Sequence, residues 1–121
     1  VLELLGLADK RRQMARGLTL PDRKCLEVAR ALATGPKLLL LDEVMAGLRP
    51  AETDRMVDVF RNLNRDTGLT IVLIEHVMRA VMALSQRVVV INSGKPVCEG
   101  APDEVVRDPR VLECYLGQEK L

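Results

Sequence analysis

The sequence predicts an α/β fold: a mostly parallel sheet, then a β-hairpin and short C-terminal helices. Three observations predict it. Short apolar runs, each sized for one buried strand, alternate with segments whose apolar residues recur at helical spacing. Gly and Pro stand where elements should stop or start. Late in the chain, Asn92-Ser93-Gly94-Lys95 separates two further strand-like runs as a turn.

Taken in order, Leu2, Leu4 and Leu5 give Val1–Leu7 a rough helical spacing that Gly6 and Asp9 cut short. Lys10–Gly17 is polar and reads as loop. Thr19-Leu20-Pro21-Asp22 has the form of a helix start. A Thr hydroxyl can accept an amide N–H of the first turn, and Pro is tolerated there. The helix runs to about Thr34, with Leu26, Ala29, Leu32 and Ala33 expected on one face, and Gly35-Pro36 stops it. Lys37–Leu41 is a continuous apolar strand, the pattern of a strand covered on both faces. Pro50 opens a helix with Met56, Val59, Phe60 and Leu63 on one stripe, and Gly68 ends it. Leu69–Ile74 is a second buried strand, Val77–Leu84 a short helix, and Arg87–Ile91 a third strand. Pro96–Glu99 is a fourth, short strand. Pro102 and Pro109 open two final helices, the second capped by Asp108. Three parallel strands and one hairpin strand leave an edge bare. The chain therefore reads as part of a larger sheet, or as one completed by another copy.

Composition narrows the function. The chain has 121 residues, 48% apolar and 29% charged, which fits one domain with a modest core. A net charge of +1 offers no attraction to nucleic acid or to an anionic membrane surface. One Tyr, one Phe and no Trp provide no platform for stacking bases. Cys25, Cys98 and Cys114 are far apart and form no C-x-x-C pair, which suggests reduced thiols and neither zinc nor a disulfide framework. No apolar run, Leu38–Leu41 included, is long enough to span a bilayer, so any link to a membrane is expected to go through a partner.

The sharpest chemical feature is Leu38-Leu39-Leu40-Leu41-Asp42-Glu43. It places two adjacent carboxylates at the carboxyl end of a buried strand, the edge at which ligands bind in open α/β sheets. An Asp there can hold Mg²⁺, a hard cation that takes oxygen ligands. A carboxylate beside it can orient or deprotonate an attacking water. On these residues alone, an apolar strand followed by solvated acids is an equally good reading.

The surroundings decide between them. Thr19–Ala33, then Leu38–Glu43, then Ala46-Gly47-Leu48-Arg49, then Ile74-Glu75-His76 stand in the order and spacing of an ABC-type ATPase. The run Leu26–Ala33 resembles the helix after the ABC signature, Leu38–Glu43 resembles Walker B, Ala46–Arg49 lies where the D-loop lies, and His76 lies at the switch histidine. Gly100–Val105 through Tyr115-Leu116-Gly117, together with Glu75-His76, resembles the ATPases of branched-chain amino acid importers. The resemblance implies a C-terminal half of a P-loop NTPase fold, with residues 1–36 ending the helical and signature region, 37–99 forming the sheet core from Walker B to the switch histidine, and 100–121 forming terminal helices. It implies ATP and Mg²⁺ as cofactors, Asp42 as the metal-supporting carboxylate, Glu43 as catalytic base and His76 as a contact to the γ-phosphate. Thr19, Leu20, Pro21 and Asp22 would belong to the signature, which caps nucleotide bound to an opposite subunit. The implied partners are a second copy or a homologous ATPase subunit and membrane permease subunits. The implied location is cytoplasmic, at the inner face of the membrane.

Several positions depart from the family pattern. Leu20 and Pro21 replace two glycines and Asp22 a glutamine. Proline removes one amide donor, and Asp22 adds negative charge, so helix capping and phosphate contact stand as equal readings of Thr19–Asp22. Arg49 replaces an acidic or Asn residue, and Val44 stands where proline is common. No G-x-x-x-x-G-K-[ST] occurs in the chain, so no loop of this type cradles the β- and γ-phosphates, and the chain by itself is expected to be inactive. Two readings of other classes are a receiver-like signalling domain phosphorylated at Asp42 and a non-enzymatic dimerising interaction domain. The first needs an early strand carrying acidic residues, and no such strand is read before Leu18; it also needs a Lys after a later strand, which Lys95 fits poorly.

Overall fold

The computed structural model describes residues 1–116. They divide into two compact units, Val1–Ala80 and a second beginning at Val81.

In the first unit, single 3₁₀ turns at Glu3–Leu5, Ala8–Lys10 and Ala15–Gly17 replace the expected short helix and loop. Gly6, at φ 68°, ends the first of them, and Leu5 and Leu7 are buried. Helix α1 spans Leu20–Leu32, with Pro21 in its first turn and Thr19 extended before it. Its buried residues are Cys25, Val28 and Ala29. Leu26 and Leu32 are half-buried and Ala33 is exposed, so the buried stripe is rotated from the expected Leu26–Ala33 face by about one residue. Positions 25, 28 and 29 are one helical turn apart and lie on the same face.

Strands β1 (Leu38–Asp42) and β2 (Thr70–Ile74) pair in parallel, from Leu38 opposite Thr70 to Asp42 opposite Ile74. Helix α2 (Pro50–Thr67) is the crossover between them. Pro50 starts it, and Gly68, left-handed at φ 68°, ends it with its N–H on the Asn64 carbonyl. Thr53, Met56, Val57, Phe60 and Leu63 are buried along α2, and Val59 is half-buried. Cys25 Sγ meets Met56 Sδ at 3.6 Å, a sulfur contact between α1 and α2.

The expectation that β1 is covered on both faces is not met. Leu39 and Leu41 are buried, whereas Leu38 and Leu40 are exposed, Leu40 by 69%. Paired residues of a parallel sheet point to the same side. The Leu38 and Leu40 face is therefore also the face of Val72 and Ile74, both exposed. An apolar run records that a strand can be buried on both sides. It does not record what buries it, and the described residues put a cover on one side only.

Helix α3 (Met78–Leu84) crosses the boundary between the units. In the second unit, β3 (Val88–Asn92) and β4 (Lys95–Gly100) form an antiparallel hairpin. Ser93 at φ 50° and Gly94 at φ 75° fill its two-residue turn. Positive φ at both central positions matches the right-handed twist of the strands, which is why a turn of this composition works here. The third strand does not extend the parallel sheet. The strand orders are β1-β2 and β3-β4, because the tight turn gives β3 an antiparallel neighbour at once and no described strand links it to β2. A register shift between Val90 and Ile91 leaves Val97 without an opposite residue. Helices α4 (Pro102–Val105) and α5 (Pro109–Val111) follow, then a π turn over Leu112–Leu116. Val90, Val105 and Val111 form this unit's core, with Val88, Val97 and Cys98 packed on it. Asp108 caps α5 as expected, its carboxylate accepting the Arg110 N–H at 2.8 Å. Gly117, part of the resembling tail, lies outside the described residues.

Candidate active site

The carboxyl ends of β1 and β2 bring Asp42, Glu43, Glu75 and His76 to one edge. Asp42 is the last residue of β1 and pairs with Ile74, the last of β2. Glu43 follows immediately, and its N–H donates to the Ile74 carbonyl at 2.8 Å, extending the strand pairing by one bond. Glu43 is left-handed, at φ 51°. A non-glycine residue holds that conformation at a cost, and only where its surroundings enforce it.

The His76 Nδ1 lies 3.6 Å from Glu43 Oε1, with both side chains more than half exposed. That separation exceeds a hydrogen bond. The pair is adjacent and not locked, and a water or phosphate oxygen can reach both groups. Asp42 makes no side-chain hydrogen bond or ion pair with the described residues, so its oxygens are open. Among the described residues no group of three or more His, Cys, Asp and Glu side chains converges on a point. Mg²⁺ keeps several waters and binds through one or two carboxylates plus substrate phosphates, so it asks few ligands of the protein. One free carboxylate at the strand end fits that demand.

The turn after Glu43 is tied down along its length. The Ala46 N–H donates to the Glu43 carbonyl at 3.1 Å and the Leu48 N–H to the Met45 carbonyl at 3.2 Å. Met45 is buried to 1% exposure. Its N–H donates to Glu75 Oε1 at 2.7 Å. Gly47 is left-handed at φ 78° and lies beside Leu20, whose Cδ2 would meet an added Cβ at an ordinary contact distance of 3.4 Å. Arg49 then stands at the start of α2, its N–H donating to Glu52 at 2.9 Å and its guanidinium pairing with the same carboxylate at 2.7 Å.

Thr19–Asp22 forms the N-terminus of α1 and is joined to the Asp42–His76 edge by no hydrogen bond among the described residues. The Thr19 hydroxyl accepts the Asp22 N–H at 3.4 Å, a long cap. Asp22 in turn accepts from Lys10 Nζ at 2.5 Å. Lys10, Thr19, Pro21 and Asp22 line a cavity of about 330 Å³ together with Cys25, Arg49 and Met56. The Lys10 bond offsets the negative charge that the sequence placed on this segment. Burial pushes the Asp22 carboxyl up, but the Lys10 and Thr19 hydrogen bonds outweigh it and hold the group below the usual carboxylate range. The same bond to Asp22 raises the Lys10 ammonium. The Asp22 contribution is therefore complete above the unfolded carboxyl value of about 3.9 and is lost as pH falls through the lower folded value. The stabilities of wild type and Lys10→Met should converge as urea melts are taken from pH 6 to pH 2.5. A constant gap between them would show that the pair contributes through packing and not charge.

Sequence reasoning missed Glu75 and Lys10. Both act on residues brought near by the fold, 30 and 12 positions away. The only signal for Glu75 was a carboxylate directly before a histidine at a strand end.

Comparison with known proteins places this arrangement. The family described as the branched-chain amino acid ATP-binding cassette transporter matches residues 95–120. The high-affinity branched-chain amino acid transport ATP-binding protein LivG of Salmonella typhimurium is 40% identical over 117 residues, covering 97% of this chain and 46% of LivG. The corresponding BraF of Pseudomonas aeruginosa is 38% identical with the same coverage. The chain thus spans about half the length of these relatives. The structure is similar to that of the ADP conformation of MJ1267, an ATP-binding cassette of an ABC transporter. The TM-score is 0.86, with 31% identity over 96% of this chain and 47% of that one. A nucleotide-free ATP-binding cassette from an ABC transporter aligns with a TM-score of 0.85 and 30% identity over 94% of this chain and 46% of that one. The chain belongs to the ATP-binding proteins of ABC transporters, and it resembles the C-terminal part of the branched-chain amino acid members.

Proposed function

We propose that this chain supplies the water-activating part of an ABC importer ATPase site, coupling ATP hydrolysis to amino-acid uptake. The observation that supports it most is the Glu43–His76 pair, 3.6 Å apart at the ends of two adjacent parallel strands, with Asp42 beside it. Glu43 accepts a proton from water as the water oxygen attacks the γ-phosphorus. The bond from that phosphorus to the bridging oxygen breaks, and its electron pair leaves on ADP. His76 donates a hydrogen bond to a γ-phosphate oxygen and holds the group in line. Asp42 would hold Mg²⁺, directly or through water, and the ion would supply charge neutralisation of the phosphates. Hard oxygen ligation and an unpaired carboxylate support that role.

The segment Thr19, Leu20, Pro21 and Asp22 faces nucleotide held by a second ATPase subunit. A helix N-terminus offers amide donors there, and Lys10 lowers the repulsion from Asp22. The partners are that second subunit, a copy or a homologue, and membrane permease subunits. No described helix is long and apolar enough to cross a membrane. The branched-chain class is favoured for the solute by the match at residues 95–120 and by LivG and BraF. The methionine import ATP-binding protein MetN of Rhodopseudomonas palustris, 44% identical over 110 residues, keeps other amino acids in view.

The test is steady-state ATP turnover by a LivG-length protein carrying this chain as its matching half, with and without Glu43→Gln. The 121-residue chain alone should give no turnover above background in the same assay, having no Walker A loop. Robust hydrolysis by the chain alone would overturn the division of labour proposed here.

A further inference from the structure

We infer that Glu75 is a positioning residue that fixes the Glu43–His76 geometry by clamping the turn after β1 to the end of β2; its catalytic consequence rests on the reading of Glu43 as base. Glu75 Oε1 accepts the Met45 N–H at 2.7 Å, a bond between residues 30 apart in sequence. Its other oxygen, Oε2, is buried and has no hydrogen-bond partner among the described residues. A buried carboxylate oxygen left unpaired is costly. That cost is borne where the other oxygen does something a shorter side chain would not, and here it reaches the Met45 amide.

What the bond secures is visible in the backbone. Glu43 is left-handed at φ 51°, a conformation that relaxes unless its neighbours over-determine it. Two ties hold the turn to β2. One is the Glu43 N–H on the Ile74 carbonyl at 2.8 Å, and the other is the Glu75 carboxylate on Met45. The buried Met45 side chain anchors the far end. Because Glu75 directly precedes His76, the same residue sets where the imidazole leaves the strand and where the turn bearing Glu43 comes to rest. Losing the clamp frees Glu43 to rotate towards negative φ and carries its carboxylate away from Nδ1.

Two substitutions separate reach from charge. Glu75→Gln keeps an acceptor oxygen at the same distance and loses the charge. Glu75→Asp keeps the charge and is too short to reach Met45. In the 121-residue chain, amide hydrogen exchange read by NMR should quicken at Glu43 and Met45 in Glu75→Asp, by about ten-fold or more, with Leu39–Leu41 and Phe60 unchanged. Glu75→Gln should exchange as wild type. In the LivG-length protein, Glu75→Asp should lower kcat on the order of ten- to a hundred-fold with KM for ATP unaltered, and Glu75→Gln should restore it. Wild-type exchange and turnover in Glu75→Asp overturn the inference, as does Glu75→Gln failing alongside it. If Glu43→Gln leaves turnover intact, the catalytic reading fails, and the exchange data still decide whether the clamp exists.

Discussion

Replacing Glu43 by Gln in a LivG-length protein carrying this chain should cut ATP turnover by about 10²–10⁴-fold, the range for removal of a general base. That corresponds to about 2.7–5.4 kcal/mol of transition-state stabilisation. The amide keeps the shape and the hydrogen-bonding reach of the side chain but accepts no proton from water. Glu43 is more than half exposed, so the change has little effect on folding. KM for ATP should stay within about two-fold, because the interaction lost belongs to the transition state and not to nucleotide binding. A large rise in KM with kcat preserved would assign Glu43 to binding. The strained backbone at this residue agrees with a dedicated role: φ 51° is held by the Ile74 carbonyl and serves no capping or turn-closing purpose that glycine or asparagine would not serve better.

The second large effect is on stability. Phe60 is 2% exposed on the inner face of α2, among Met56, Val57 and Leu63. Phe60→Ala should destabilise the chain by about 3–5 kcal/mol, through lost burial and the cavity left behind. That is a large share of the stability of a domain this size. Leu40→Ala, on the exposed face of β1, should change stability by less than about 0.5 kcal/mol. Urea melts of both variants with an unchanged m-value make the comparison. A loss at Leu40 comparable to that at Phe60 would mean that the Leu38, Leu40, Val72 and Ile74 face is covered in solution.

The contrast between these leucines shows where the sequence was legible. Local patterns were read well. The Asn92–Lys95 turn, the Gly68 stop, the Pro50 start and the Asp108 cap each depend on a few adjacent residues, and each stands where expected. The Met56–Phe60–Leu63 stripe of α2 was equally readable, because helical period alone fixes it. The α1 face was displaced because Cys25 and Val28 compete with Leu26 and Leu32 for the interior, and hydrophobicity ranks the leucines first while packing does not. The cover on β1 and the pairing of β3 are properties of what lies across space, which a run of leucines and valines does not encode.

The candidate site divides in the same way. Asp42, Glu43 and His76 are legible as candidates because each stands at the end of an apolar run, a position fixed by the chain itself. Glu75 and Lys10 were not, because their significance is a partner: Met45 in one case and Asp22 in the other. The negative charge of Asp22 is likewise met by a partner twelve residues away, Lys10, to which the sequence does not point.

The central claim is that the ends of β1 and β2 form one hydrolytic site. A double-mutant cycle on ATP turnover with Glu43→Gln and His76→Ala in the LivG-length protein tests it most directly. Two groups 3.6 Å apart that act on one phosphoryl transfer should be non-additive. The predicted result is a double variant faster than the product of the single losses by at least about five-fold, a coupling of about 1 kcal/mol. Single losses that multiply fully, or a Glu43→Gln protein that turns over as wild type, would contradict it.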